Sequence, residues 1–148
     1  MKYSQSGQSL FEVVVALAIS ALIIVTLVSL VSNSIQNATF SKNKALATSY
    51  AQEATEWLRG QRDTDVNTFE ANALTPTWCL QDLSWRNTGS CDTGEEIAST
   101  PFTREVNFTV DTVSGKTVVE ADIYVFWTDS LGLHQVVSAT NFSDWRQR

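Results

Sequence analysis

The sequence predicts an α+β fold, with a long N-terminal helix packed on a C-terminal antiparallel β-meander. Three observations predict it. No proline occurs before Pro76, so nothing in the first half forces a helix to break. Apolar residues in that half recur at helical spacing, whereas from Phe102 the apolar period becomes two. Turn signals separate the period-two runs, so consecutive strands can return beside one another. A chain of 148 residues with 43% hydrophobic side chains suits about one domain with a modest core.

The first element opens on "SGQSLFEVVVALAIS", Ser6 to Ser20. From Val13 to Val31 the chain runs 19 residues without a formal charge, and only Ser20, Thr26 and Ser29 are polar. As a helix this segment spans about 28 Å, close to the ~30 Å hydrocarbon core of a bilayer. It is longer than a signal-peptide core and no clear A-x-A site follows it. Glu12 stands at its mouth, where a carboxylate in lipid is costly. The next charge is Lys42. Because Lys2 lies on one side of the run and Lys42 and Lys44 on the other, the positive-inside rule does not orient it.

The helical rhythm continues through "NSIQNATFSKNKALATSYAQEATEWLRGQRD". Ile35, Ala38, Lys42, Ala45, Tyr50, Ala54 and Trp57 recur at three- to five-residue steps, with Leu46 and Leu58 beside them. This predicts an amphipathic second half. Gly60 is the expected helix stop, with Asp63 and Asp65 opening a polar loop. The helix then covers about Ser9 to Arg59, or roughly 76 Å.

Residues 61–100 read as a long connection. It holds Trp78 and Trp85 and both cysteines, Cys79 and Cys91. Loops this long are uncommon without a function or a staple. In an exported domain the two cysteines can close a disulfide, limiting loop entropy by about 3 kcal/mol; two separate thiols are the alternative. The tryptophans pack the loop to the helix or form a binding surface.

The period-two segment begins with Phe102, Val106, Phe108 and Val110 alternating with Thr103, Glu105, Asn107 and Thr109. A turn is expected at Ser114-Gly115. Val119, Ala121, Ile123, Val125 and Trp127 form the second alternation, a turn follows at Asp129 to Gly132, and Leu133 to Phe142 makes a third strand. One face of this meander is available to the amphipathic half-helix.

Composition excludes several functions. The net charge of -6 disfavours nucleic-acid binding, and Arg146 and Arg148 in the tail are too few for a basic patch. The single histidine, His134, sits in a strand pattern, where it is a surface or rim residue rather than a triad base. No Cys/His cluster has metal-ligand spacing. No catalytic residue, metal site or cofactor is expected.

At Gly7–Gln8–Ser9–Leu10–Phe11–Glu12 the sequence resembles the class III signal of type IV prepilins and pseudopilins. In that family a prepilin peptidase cuts after the glycine and methylates the new terminal amine, and the fifth mature residue is glutamate. Here the cut falls between Gly7 and Gln8, and Glu12 is fifth when Gln8 is counted as first. The resemblance covers about Gly7 to Val31. The continuation through "YAQEATEWLR" looks like the minor pilins and small pseudopilins of the V/I type. Two departures are visible. The usual residue after the cut is phenylalanine, whereas here it is Gln8, which without methylation can cyclise and lose its charge. Major pilins commonly carry a proline in the apolar helix, and its absence points to a minor pilin or pseudopilin.

The resemblance implies a type IV pilin-like fold divided into a leader (1–7), a transmembrane or filament-core helix (8–32), an amphipathic half-helix (33–60), an αβ-loop (61–100) and a β-sheet (101–148). It implies partners: other pilin or pseudopilin subunits, the peptidase and an inner-membrane assembly platform. The protein is then a single-pass protein of the cytoplasmic membrane with its C-terminal domain outside the cytoplasm, and later part of a cell-surface or periplasmic filament. In such a filament the amine of one subunit's Gln8 can pair with Glu12 of a neighbour, which penalises axial misregister. The alternative is local, since Gln8 and Glu12 are one turn apart on the same helix. A competing function is a membrane-anchored extracytoplasmic binding module that uses the Trp-rich loop.

Overall fold

The computed structural model describes residues 6–113 and 116–143. Lys2, the expected turn at Ser114-Gly115, and the tail arginines Arg146 and Arg148 lie outside the described residues. Two helices and five strands follow in chain order: α1 (Ser6–Thr64), α2 (Val66–Ala73), β1 (Thr77–Cys79), β2 (Asn87–Thr88), β3 (Thr103–Val113), β4 (Lys116–Asp129) and β5 (Gly132–Ser143). The chain forms two units, Met1–Ser41 and Lys42–Arg148.

In the first unit the described chain is the N-terminal part of α1. Its side chains are exposed from Leu10 to Thr39. Two of the three polar residues inside the apolar stretch turn back on the backbone: the Ser20 hydroxyl donates to the Ala16 carbonyl at 2.8 Å and the Thr26 hydroxyl to the Ile23 carbonyl at 2.8 Å. Satisfied within the helix, these hydroxyls do not oppose an apolar environment. The helix is long and apolar enough to cross a membrane.

The second unit is the α+β body. Here α1 lays Ala47, Ala51, Ala54 and Leu58 onto an antiparallel sheet of strand order β2-β1-β3-β4-β5. The steps of four, three and four residues trace one helix face. This face is rotated from the expected one: Ala45 is exposed, and Tyr50 and Trp57 flank the seam at its edges. The three alanines of the row, Ala47, Ala51 and Ala54, are almost completely buried.

The meander registers as the alternation requires. Val106 faces Ile123 and Phe108 faces Ala121, while Val125 faces Val136 and Val119 faces Phe142. Apart from Val136, which is half-buried, these side chains fill the core with Phe69, Leu80 and Phe102, each full burial of a large apolar side chain being worth about 1.5–3 kcal/mol. Val110, expected inward, is 36% exposed. At the hairpin from Asp129 to Gly132 the Asp129 carboxylate accepts from the Leu131 N–H at 2.8 Å, and Gly132 takes φ +120°, which suits glycine.

The stretch from 61 to 100 departs most from expectation. α1 runs through Gly60 to Thr64, past the expected stop. Glycine costs a helix about 1 kcal/mol, but two contacts beyond it reward continuation. Trp85 Nε1 donates to Gln61 Oε1 at 3.2 Å, and the Arg62 guanidinium lies 5.5 Å from the Phe142 ring centre. The break comes at Asp65, which caps α2 by accepting from the N–H groups of Asn67 (3.0 Å) and Thr68 (3.2 Å). α2 buries Phe69 and Ala73. β1 then pairs with the N-terminal half of β3, Trp78 facing Val106. A three-residue strand carries no readable period, so pattern alone does not reveal it.

Candidate functional site

The sequence-derived site residues fall in two places, one in each unit. Gly7 and Gln8 lie in the backbone of α1, and the Gln8 side chain is outside what the structure describes. Glu12 lies in the same helix and is exposed among apolar neighbours, Phe11 at 71% and Val13 at 55%. No other ionisable side chain occurs between it and Lys42. The described residues of this unit therefore present a single carboxylate near the start of an apolar rod. Leu17, Leu22, Ile24, Val25 and Leu30 are all more than half exposed on several helix faces. An apolar surface that surrounds a helix needs lipid or other helices to cover it.

In the α+β body Cys79 and Cys91 are bonded, with Cα atoms 4.9 Å apart. Glu95 approaches the two sulfurs, all three ligand atoms lying within 4.8 Å of one another. The sulfurs are consumed by the disulfide, so they do not offer the thiolates that a soft metal needs. The bond fastens the loop to β1, and the Cys91 N–H donates to Glu105 Oε1 at 2.8 Å.

Trp78 and Trp85 pack inward. Trp78 is 7% exposed and its Nε1 donates to the Asn72 carbonyl at 3.0 Å. Trp85 lies against Trp57, ring centres 4.7 Å apart, and against Trp78 at 5.1 Å. The aromatic cluster joins the loop to α1, which is a packing role.

Sequence reasoning missed Arg104. It holds an inward position of β3 between Phe102 and Val106, and is 2% exposed. Its Nε donates to the Leu80 carbonyl at 3.0 Å, and its Nη1 to the Tyr50 carbonyl at 3.0 Å and to Glu53 Oε2 at 2.7 Å. The signal was its parity with the buried residues of the strand; its charge argued against burial. An open cleft of about 600 Å³ lies over this group, lined in part by Tyr50, Leu83 and Ile97. Leu83 and Ser99 hold left-handed backbone, φ 53° and 62°, a conformation unfavourable without glycine. The arginine already serves a carboxylate and two carbonyls, so the arrangement ties strand, loop and helix together. It supplies no pair of catalytic groups.

His134 Nε2 lies 2.9 Å from Asp129 Oδ1, and its ring stacks on Trp127 at 5.2 Å. Bonds from the Leu131 N–H, and next from His134, hold the Asp129 carboxyl below its usual value. The pair closes the β4–β5 turn.

No protein-family model, curated protein or solved structure matches this chain.

Proposed function

We propose that this chain is a non-enzymatic structural subunit, a minor pilin or pseudopilin of a type IV pilus or of a related secretion or DNA-uptake filament. It is cut between Gly7 and Gln8, and it assembles through its apolar N-terminal helix. One observation carries the reading. Glu12 follows Gly7 at the spacing of the prepilin signal, and from there the helix is apolar on every side with no cover from the described residues of its own unit.

The chemistry of assembly follows from that surface. Before extraction the rod is covered by lipid, and in a filament by neighbouring helices, whose apolar burial supplies most of the association. A lone carboxylate in that environment has to be paired or neutralised. The amine freed at Gln8 of a neighbouring subunit is the cation that processing creates. Pairing it with Glu12 sets the axial position at which the next subunit stops. The binding-module reading has less support, because Trp78 and Trp85 spend their ring surfaces on packing against each other and on Trp57.

Mass spectrometry of the mature protein from cells with an active prepilin peptidase tests the proposal. The expected chain begins at Gln8, with or without one added methyl group. A steady-state chain retaining residues 1–7 rejects it.

A further inference from the structure

The sheet has two ends, and they differ. At one end β2 is two residues long and is followed by Gly89 at φ +95°, so it offers almost no template. At the other end β5 runs for 12 residues and pairs on one side only, with β4. Among the described residues no other backbone partner is recorded for it. A strand edge carries a row of N–H and C=O groups, and natural sheets blunt such edges with lysine, proline, bulges or short strands. β5 has none of these devices. "GLHQVVSATNFS" contains no Asp, Glu, Lys, Arg or Pro, and it pairs with β4 in unbroken register from Gly132 to Ser143.

We infer that β5 is a self-pairing edge: two copies of this chain join β5 to β5, antiparallel about a two-fold axis, into one continuous sheet. Three observations select a second copy as the occupant. First, the chain carries a net charge of -6, so two copies repel over much of their surfaces, yet here they meet without a formal charge on either strand. The nearest acids on the outer face, Glu120 and Asp122 of β4, stand three strand spacings from their counterparts. That is about 14 Å, beyond the Debye length of about 8 Å. Second, a two-fold axis through the sheet brings like faces together. The outward residues Leu133 (71% exposed) and Val137 (46% exposed) then meet only outward residues of the partner, extending the apolar strip that Tyr124 and Phe126 begin. Third, the short β2 edge cannot receive a β5 strand, so pairing cannot continue head to tail. The contact closes at two copies. It is therefore separate from the helix contact proposed above for filament growth, and stands or falls without it.

Thiol cross-linking of the full chain in detergent micelles tests the inference. Single cysteines are placed at Gln135, Val137 and Ala139 on the outward side of β5, and at Thr109 in β3 as an outward position away from the edge. A short bismaleimide is added without reductant, so that the native disulfide stays closed. The expected result is a covalent dimer from at least one β5 position and none from Thr109→Cys. Val137→Lys and Ala139→Lys each set like charges near the axis and should weaken dimerisation about fivefold, with the circular-dichroism melting curve retained. Absence of β5 cross-links, equal cross-linking at Thr109→Cys, or an undiminished dimer in both folded lysine variants overturns the inference. A chain that is monomeric by itself and cross-links through β5 only to a different protein also overturns it.

Discussion

The Arg104 guanidinium, 2% exposed, meets the carboxylate of Glu53, which is 54% exposed, at 2.7 Å. One partner is thus in the core and the other at the surface. The buried partner depends on the exposed one, because an unpaired charge in the core is costly whereas Glu53 alone can be hydrated. The same guanidinium holds the carbonyls of Tyr50 on α1 and Leu80 after β1. Arg104 is the point at which helix, loop and sheet are joined by polar contacts.

Replacements of the two partners therefore act differently: loss of Arg104 empties a buried position, whereas loss of the Glu53 charge leaves the guanidinium without its counter-charge in the core. Arg104→Ala is expected to destabilise the α+β body by about 3–5 kcal/mol, combining the unserved Leu80 carbonyl with a cavity, while the Tyr50 carbonyl keeps its helical bond. Glu53→Gln keeps an acceptor but removes the counter-charge of a buried guanidinium, and should cost about 2 kcal/mol. Urea unfolding of the two variants in the same detergent measures the difference. Equal and small losses would remove Arg104 from its anchoring role.

The disulfide makes a second prediction. Cys79 and Cys91 are separated by 12 positions, and closing a loop of that size stabilises by about 3 kcal/mol. A double Cys→Ser variant should lose that amount. Protease cleavage should concentrate between Leu80 and Thr100, while amide exchange in β3 and β4 stays slow. Uniform loss of protection across the sheet would contradict this local role.

Asp65 predicts a pH dependence. Its carboxyl is held below the ordinary 3.8 by hydrogen bonds, first from the Thr68 hydroxyl and then from the Thr68 and Asn67 N–H groups. The folded state favours the ionised form, so the contribution is complete above the ordinary value. It declines as pH falls below that value and is gone once pH has passed the lowered one. Asp65→Asn keeps a capping oxygen and should flatten this acid limb at little cost at neutral pH. An acid limb unchanged in Asp65→Asn would assign it to other carboxylates.

For the proposed assembly role, Glu12→Ala should leave processing after Gly7 and membrane insertion intact while incorporation into filaments falls about tenfold or more, as expected when a register-setting charge pair is lost. Quantitative immunoblotting of sheared filaments against membrane fractions measures this. Undiminished incorporation discards the pairing.

Much of the fold was legible because it rests on local periodicity. The apolar run from Val13 to Val31 and the alternation in β4 are properties of consecutive residues, and neither needs a distant partner to be read. In sequence the stretch from 61 to 100 looks like a connection because its elements draw their stability from elsewhere. β1 is three residues long and exists by pairing with β3 and β2. α1 passes Gly60 because Gln61 and Arg62 find Trp85 and Phe142 on the far side of the chain.

By itself the sequence determined that a helix without proline would begin apolar all round, with one acid near its start, and that a two-residue period would build an antiparallel sheet. Backbone geometry converts those spacings into faces wherever they occur. Only the tertiary structure decided which face of the second half of α1 would be buried, that the alanine row and not Tyr50 would lie on the strands, and that a charged residue at an inward position of β3 would be kept there. Arg104 is tolerated because Glu53, Tyr50 and Leu80 converge on it from positions at least 24 residues away, and no local pattern records a convergence over that separation.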